Sequence, residues 1–343
     1  MKTAIIGTGS YLPEKILTSE ELEDRLGLRR GWIVEKTGIR ERRVAAPHEA
    51  TSDLAVRAGR GASGAAGVVA TDIDLIVLAT STPDQPMPAT ACHVQAAIGA
   101  TRAFAFDVEA VCSGFVCALI VADAMLANNP AYSTALVIGA DTYSRVLDYT
   151  DRRTAVLFGD GAGAVVLGKV PGGKGLLAST LSSDGRGADL VKIPAGGSRI
   201  PASLHTLEEG KHYFAMDGRE VRRLAAEKMP AVVTDLLKAA DVTLSDVDLI
   251  VPHQANGVML AELAATLGLA PGVLHLTVGR YGNTGAASVP ITLDDAVRAG
   301  LLTQDSLLLL VALGGGMTWG GAALPWTCAS TGRSPVPPTQ VKE

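Results

Sequence analysis

The chain has 343 residues, 48% of them apolar but only 4% aromatic, with a net charge of −5 and a pI of about 5.7. That length allows one large or two medium domains with an ample core of Ala, Val, Leu and Ile, and the acidic balance excludes a global basic field that would attract nucleic acid. Four cysteines, at 92, 112, 117 and 328, have neither metal-ligand nor disulfide spacing, which points to a reducing cytoplasm.

The N-terminal run Met1-Lys2-Thr3-Ala4-Ile5-Ile6-Gly7 lacks the apolar stretch and cleavage site of a secretory leader. Gly7-Thr8-Gly9-Ser10-Tyr11-Leu12 follows a strand and carries two glycines of a dinucleotide fingerprint. The third is missing and Pro13 stops a helix from starting, so no nucleotide turn is expected there. Basic clusters at Arg29-Arg30, Arg40 with Arg42-Arg43, and Arg152-Arg153 read as solvated surface or as seats for an anionic ligand such as a nucleotide-bearing thioester. Thr71-Asp72-Ile73-Asp74-Leu75-Ile76-Val77 is a polar link into a fully apolar strand.

At Glu109-Ala110-Val111-Cys112-Ser113-Gly114-Phe115 a strand-like run gives way to a helix-like one. Cys112 therefore sits at a helix start, where amide groups carry partial positive charge. A thiol there is expected to ionise more easily, and the thiolate is the form that attacks carbonyl carbon. Cys92 and Cys117 read as small core residues. The apolar run at 115–127 is interrupted by Asp123, and that at 307–313 is too short to cross a bilayer, so no membrane span is expected. Phe158-Gly159-Asp160-Gly161-Ala162-Gly163 lacks the lysine of a phosphate loop and reads as a tight turn feeding a strand at 164–167.

Farther on, Pro252-His253-Gln254-Ala255-Asn256 and Gly282-Asn283-Thr284-Gly285 stand in turns after apolar strands, and Gly314-Gly315-Gly316 follows the last long apolar run. These are places where α/β sheets put functional groups. One thiol, one imidazole, one carboxamide and a glycine turn are the parts an acyl-transfer site needs. The other histidines, at 48, 93, 205, 212 and 275, have no motif around them. Residues 328–343 are polar and proline-rich and are expected to form a disordered tail.

An internal repeat organises the whole. Residues 71–77 are echoed by 245–251, an offset of 174; Ser113-Gly114 by Thr284-Gly285, at 171; and 135–139 by 308–312, at 173. Three echoes in one order at nearly one offset indicate two similar α/β halves, placed at 1–171 and 175–327. Strands without polar alternation imply sheets covered by helices on both faces, hence an α-β-α-β-α layering. Pseudo-symmetry then brings Cys112, His253 and Asn283 towards one centre.

The stretches Gly7-Thr8-Gly9-Ser10-Tyr11-Leu12-Pro13, Trp32-Ile33-Val34-Glu35-Lys36-Thr37-Gly38-Ile39, Cys112-Ser113-Gly114-Phe115, Phe158-Gly159-Asp160-Gly161-Ala162-Gly163, Pro252-His253-Gln254-Ala255-Asn256, Gly282-Asn283-Thr284 and Gly314-Gly315-Gly316-Met317-Thr318-Trp319-Gly320 resemble β-ketoacyl-acyl-carrier-protein synthase III. The resemblance runs from about residue 3 to 326, and it implies the thiolase fold and a homodimer. It makes Cys112 the acylated nucleophile, completed by His253 and Asn283, with the backbone N–H groups of Cys112 and Gly315 as oxyanion hole. Trp32, Lys36, Arg152 and Asn256 match positions that hold coenzyme A and its pantetheine arm. Met87, reaching across the dimer, together with Thr142 and Phe158 matches the acyl pocket; a flexible Met there implies tolerance of a primer other than acetyl. The implied substrates are an acyl-CoA and a malonyl thioester, with no metal or redox cofactor.

Departures from the family concern the partner-facing surface. Gly257 and Val258 replace a bulky apolar residue and an arginine, and the helix Ala261-Glu262-Leu263-Ala264-Ala265-Thr266 lacks the basic patch that docks the acidic carrier protein. Lys36 replaces an arginine, losing a bidentate fork, and Leu313 an aromatic. A relative serving a specialised pathway, such as polyketide priming, is the expectation. Acyl transfer to a hydroxyl or amine, with His253 as base, is the alternative. A papain-like hydrolase shares the order Cys, His, Asn, but the local signature around its nucleophile is absent. A non-catalytic partner subunit would have no need of Cys112.

Overall fold

A computed structural model describes residues 2–170 and 175–328. Of the segment read as a disordered tail, all but Cys328 lies outside the described residues. The first sheet contains β1 (Lys2–Tyr11), β2 (Leu75–Ala79), β3 (Phe104–Val108), β4 (Thr134–Asp141) and β5 (Gly161–Val170). The second contains β6 (Ala178–Ser183), β7 (Leu249–Pro252), β8 (Leu307–Gly314) and β9 (Thr318–Pro325). Their orders are β1-β5-β4-β2-β3 and β7-β8-β9-β6.

The two sheets repeat one plan. The pair β2–β4 is parallel with Leu75 opposite Ala135, and β7–β8 is parallel with Leu249 opposite Leu308. Each is continued by an antiparallel strand, β5 or β9, and closed by another, β1 or β6. Two of the three sequence echoes, 71–77 with 245–251 and 135–139 with 308–312, therefore fall on equivalent strands of the two sheets.

Seven helices matter for the site: α1 (Trp32–Thr37), α2 (Thr51–Ala66), α3 (Thr90–Ile98), α4 (Gly114–Asn128), α5 (Gly218–Ala240), α6 (Gly257–Leu267) and α7 (Ser288–Arg298). α2 and α3 cover the outer face of the first sheet, and α5 and α6 that of the second. α4 and α7 lie between the sheets. The strands alternate between layers: Leu75, Val77 and Ala79 join the central core, while Ile76 and Leu78 face α2 and α3. Likewise Leu308, Leu310 and Ala312 face inward, and Leu307, Leu309 and Val311 face α5 and α6. Strands buried on both faces need no polar residue, which is why these read as unbroken apolar runs.

α4 is apolar on every side because both sheets pack on it. With the preceding turn it passes the length and composition test for a bilayer span despite Asp123. Here it is the core helix of a layered fold, with Phe115, Val116, Ala118, Leu119, Ala122 and Leu126 buried.

Two local readings change. Gly7 and Gly9 stand inside β1 rather than in a turn after it. A Cβ on Gly7 would lie 2.6 Å from the Ala62 carbonyl oxygen, and one on Gly9 2.3 Å from the Ala62 nitrogen. Both glycines exist to let α2 lie directly on the strand. Arg42 is neither solvated nor free for an anion: it is 1% exposed and donates to the Val156 carbonyl at 2.6 Å and the Ser19 hydroxyl at 3.1 Å.

Candidate active site

Cys112 is the middle residue of a single 3₁₀ turn, Val111–Ser113, joining β3 to α4. Val111 has φ 47°, an uncommon conformation for a β-branched side chain, and its N–H donates to Glu109 Oε1 at 2.9 Å. The end of β8 lies directly against this turn. A Cβ on Gly314 would come within 2.6 Å of Ala110 O, 2.7 Å of Ser113 N and 2.9 Å of Cys112 N, so only glycine permits the approach. The next residue, Gly315, packs on the Val111 side chain. Two backbone segments thus meet at the nucleophile, the arrangement required of paired N–H donors.

His253 follows β7, its N–H donating to Val311 O at 2.8 Å. The ring is buried, with Nδ1 2.7 Å from the Ser288 hydroxyl at the first turn of α7. Gln254 braces the segment with all four bonds a carboxamide can make. It donates to Pro252 O (2.9 Å) and His275 O (3.2 Å), and accepts from the Thr277 (2.9 Å) and Val278 (3.0 Å) amides.

Asn283 does not follow a strand. It leaves a short helix, Val278–Tyr281, through Gly282, whose φ of 66°, with the 2.8 Å at which an added Cβ would stand from Leu157 O, excludes any side chain. Asn283 is then clamped by backbone: its N–H donates to Leu157 O at 2.9 Å and its carbonyl accepts from Gly159 N at 3.0 Å. The Gly285 N–H donates to Asn283 Oδ1 at 2.9 Å. Because that amide can only donate, it fixes which end of the carboxamide is oxygen and leaves Nδ2 as the end free to donate. Buried Asp141, at the end of β4, ties this loop to the first half. It accepts from Ala286 N (2.8 Å), Ser81 N (2.8 Å), Thr82 Oγ1 (3.0 Å) and Thr80 Oγ1 (3.1 Å).

One cavity of about 320 Å³ is lined by Cys112, His253 and Asn283 together with Gly314 and Gly315. Burial, and after it the Asp141 and Glu109 carboxylates, push the Cys112 thiol up. The expectation of an easily ionised thiol is thereby reversed for the resting site: burial outweighs the helix start, and the sulfur waits as a neutral thiol. Burial alone lowers His253 from its ordinary 6.5 to about 4, so the ring is neutral at pH 7. Burial also raises Asp141 to about 7 in spite of its four donors.

Of the expected ligand residues, Lys36, Asn256 and Phe158 line the cavity. Asn256 uses Oδ1 to cap α6, accepting from Val258 N at 2.8 Å, and its Nδ2 donates to Lys36 O at 3.3 Å. Trp32, one turn before Lys36 on α1, lies outside the lining with the Arg152 guanidinium 5.8 Å from its ring. Thr142 is buried beside Thr51, Oγ1 to Oγ1 2.7 Å, and does not reach this cavity. Met87 is 80% exposed.

Phe158 and Phe214 make an aromatic part of the lining that was only partly foreseen. Behind them Tyr143 stacks on Phe158 at 4.4 Å, and Phe214 stands edge-on to both at 5.7 and 4.8 Å. Among the described residues the Tyr143 phenol has no partner in hydrogen-bonding geometry; the Cys112 thiol and the Ser81 hydroxyl are its neighbours. Ser288, Asp141, Tyr143 and Phe214 escaped the sequence reading. The first two follow recognisable features by five residues or end an apolar strand; Phe214 carries no local signal.

The chain matches the profile of 3-oxoacyl-[acyl-carrier-protein] synthase III over residues 106–185 and that of its C-terminal part over 237–326. It is 51% identical over 324 residues to the acetoacetyl-CoA synthase NphT7 of Streptomyces sp. strain CL190, covering 94% of this chain and 98% of that one. It is 46% identical over 322 residues to the beta-ketoacyl-[acyl-carrier-protein] synthase III of Symbiobacterium thermophilum, covering 94% and 97%. Among solved structures, the synthase III of Thermus thermophilus superposes with a TM-score of 0.88 at 39% identity, covering 94% and 99%. The priming β-ketosynthase of the R1128 polyketide pathway superposes at 0.88 with 30% identity, covering 95% and 96%.

Proposed function

Because the chain belongs to the 3-oxoacyl-[acyl-carrier-protein] synthase III family, we propose that Cys112 takes an acyl group from acyl-CoA and delivers it to the carbon of a malonyl thioester. The overall reaction is the family's decarboxylative condensation. In the first half, Cys112 Sγ bonds to the acyl carbon, the bond to the CoA sulfur breaks, and CoA leaves as the thiol with the proton Cys112 gave up. The Cys112 and Gly315 amides hold the oxyanion, each such donor being worth on the order of 10²–10³ in rate. In the second half, the malonyl C–C bond breaks and CO₂ leaves. The electron pair gathers on the thioester oxygen, between His253 and Asn283, and the carbanion then attacks the acyl carbon. Cys112 departs as thiolate and takes a proton from water. The charge that develops on substrate oxygens is met by donors of the chain, and coenzyme A is substrate rather than cofactor.

One observation carries condensation over transfer to a hydroxyl or amine: Gly285 N–H holds Asn283 Oδ1, so Nδ2 is left to donate. An oxygen or nitrogen nucleophile needs a base, and His253 is lowered to about 4.

The acceptor is malonyl-CoA. The exposed face of α6, with Ala261, Glu262, Ala265 and Thr266, offers no cation to an acidic carrier protein, and Glu262 is paired with Arg222. The name of the 51% identical relative supports the same acceptor. Phe158 and Phe214, which line the cavity and are backed by Tyr143, support a short, acetyl-sized primer, against the wider tolerance that Met87 alone implies. Lys36, Asn256, Trp32 and Arg152 would receive the coenzyme. A homodimer is supported by β3, a sheet edge with Phe104 58% exposed, and by Met87. Four unpaired cysteines suit a cytoplasmic setting. The test supplies acetyl-CoA with malonyl-CoA or with malonyl-carrier protein; fast use of the carrier form, equal to that of malonyl-CoA, would defeat the acceptor assignment.

A further inference from the structure

We propose that Ser288 is the positioning residue that holds His253 in the tautomer with its proton on Nε2, making the ring a committed hydrogen-bond donor to the thioester oxygen. The inference rests on the condensation reading and assigns the residue that sets it.

The Ser288 hydroxyl is 2.7 Å from His253 Nδ1, and both residues are buried, at 1% and 4% exposure. Among the described residues Nδ1 is the one partner found for this hydroxyl. If Nδ1 carried the proton and donated it to Oγ, the serine hydrogen would be left without an acceptor in a dry site, a costly arrangement. With the serine donating, both atoms are satisfied and the ring proton must sit on Nε2. Position reinforces this. Ser288 begins α7, an 11-residue helix, and its positive end favours a lone pair facing it and opposes imidazolium. A carboxylate in the same place would do the reverse, drawing the proton to Nδ1 and leaving Nε2 as a base. The choice of a hydroxyl over a carboxylate therefore selects enolate stabilisation over general-base acyl transfer.

The experiment combines nitrogen NMR of ¹⁵N-histidine-labelled full-length protein at pH 7, His253 being assigned by difference against His253→Gln, with separate rates for the two half-reactions. In the parent protein Nδ1 is expected to be unprotonated and Nε2 protonated. Ser288→Ala should acylate Cys112 at close to the parent rate and release CO₂ from malonyl-CoA about two- to tenfold more slowly, the worth of one net hydrogen bond. Ser288→Thr should restore CO₂ release. Ser288→Asp should move the proton to Nδ1 and cost at least about 10² in CO₂ release, one oxyanion donor. A proton on Nδ1 in the parent, or equal losses in both half-reactions of Ser288→Ala, overturns the assignment. If Nδ1 is unprotonated but the parent makes no 3-oxoacyl product, the tautomer assignment stands and the condensation reading falls.

Discussion

Gly314→Ala places one methyl group where the end of β8 meets the backbone of the Cys112 turn. The new Cβ would stand 2.6, 2.7 and 2.9 Å from Ala110 O, Ser113 N and Cys112 N. Ordinary contacts begin near 3.5 Å, so the two segments must part by about 1 Å. All three neighbours are backbone, so no side chain can swing aside. Gly314 has no positive φ, which removes backbone strain as a rival cause. Overpacking of this kind costs about 1–3 kcal/mol. The larger effect is on rate: donors must lie within a few tenths of an ångström of the oxyanion, and losing one costs on the order of 10²–10³. The assay is a time course of the Cys112 acyl adduct by intact mass, with a thermal melt alongside. Gly64→Ala, inside α2 with nothing within 4 Å, is the control and should gain about 0.5–1 kcal/mol with no change in acylation. A folded Gly314→Ala protein that acylates within about threefold of the parent would mean that acylation does not depend on the close approach of these two segments.

Burial holds His253 near 4 against an ordinary 6.5, so between those pH values the unfolded chain binds a proton that the folded chain refuses. Stability contributed by the neutral ring is therefore full above pH 6.5 and falls by roughly 3 kcal/mol as pH drops towards 4. Urea titrations of the parent and His253→Gln should show that loss in the parent only; parallel pH dependences would contradict it. Phe214→Ala opens the aromatic wall, where Phe214 meets Tyr143 at 5.7 Å and Phe158 at 4.8 Å. It should cost about 3 kcal/mol, the low end for a buried ring because the site borders a cavity, and raise the butyryl adduct relative to the acetyl adduct. An unchanged ratio would mean that these rings do not set primer length.

Much of the architecture was legible because buried parallel strands leave an unmistakable trace. Residues 71–77 and 245–251 lead into β2 and β7, which occupy equivalent places in two sheets of one plan. Cys112 and His253 were legible for a related reason: each stands just past a strand end, where local pattern and location coincide. Asn283 was legible as a residue but not in its setting, since what clamps it is the backbone of Leu157 and Gly159. The phosphate turn that Gly7 and Gly9 superficially suggest was rightly set aside, but their place inside β1 was not legible, because the helix they admit comes from residues some fifty positions later. The ionisation of Cys112 was misjudged because a helix start is a local feature, whereas burial and the Asp141 and Glu109 carboxylates arrive through tertiary packing. Phe214 joins Tyr143 and Phe158 across the fold, and no short-range pattern could announce it.

Asn283→Asp, followed through both half-reactions, bears most directly on the role given to the second half of the site. The substitution keeps the shape and the oxygen that Gly285 N–H holds at 2.9 Å, and exchanges the free donor for an acceptor. The expected result is a Cys112 acyl adduct that still forms, with CO₂ release from malonyl-CoA reduced by at least about 10². Decarboxylation at the parent rate by the folded variant would contradict the claim that a fixed carboxamide donor receives the charge.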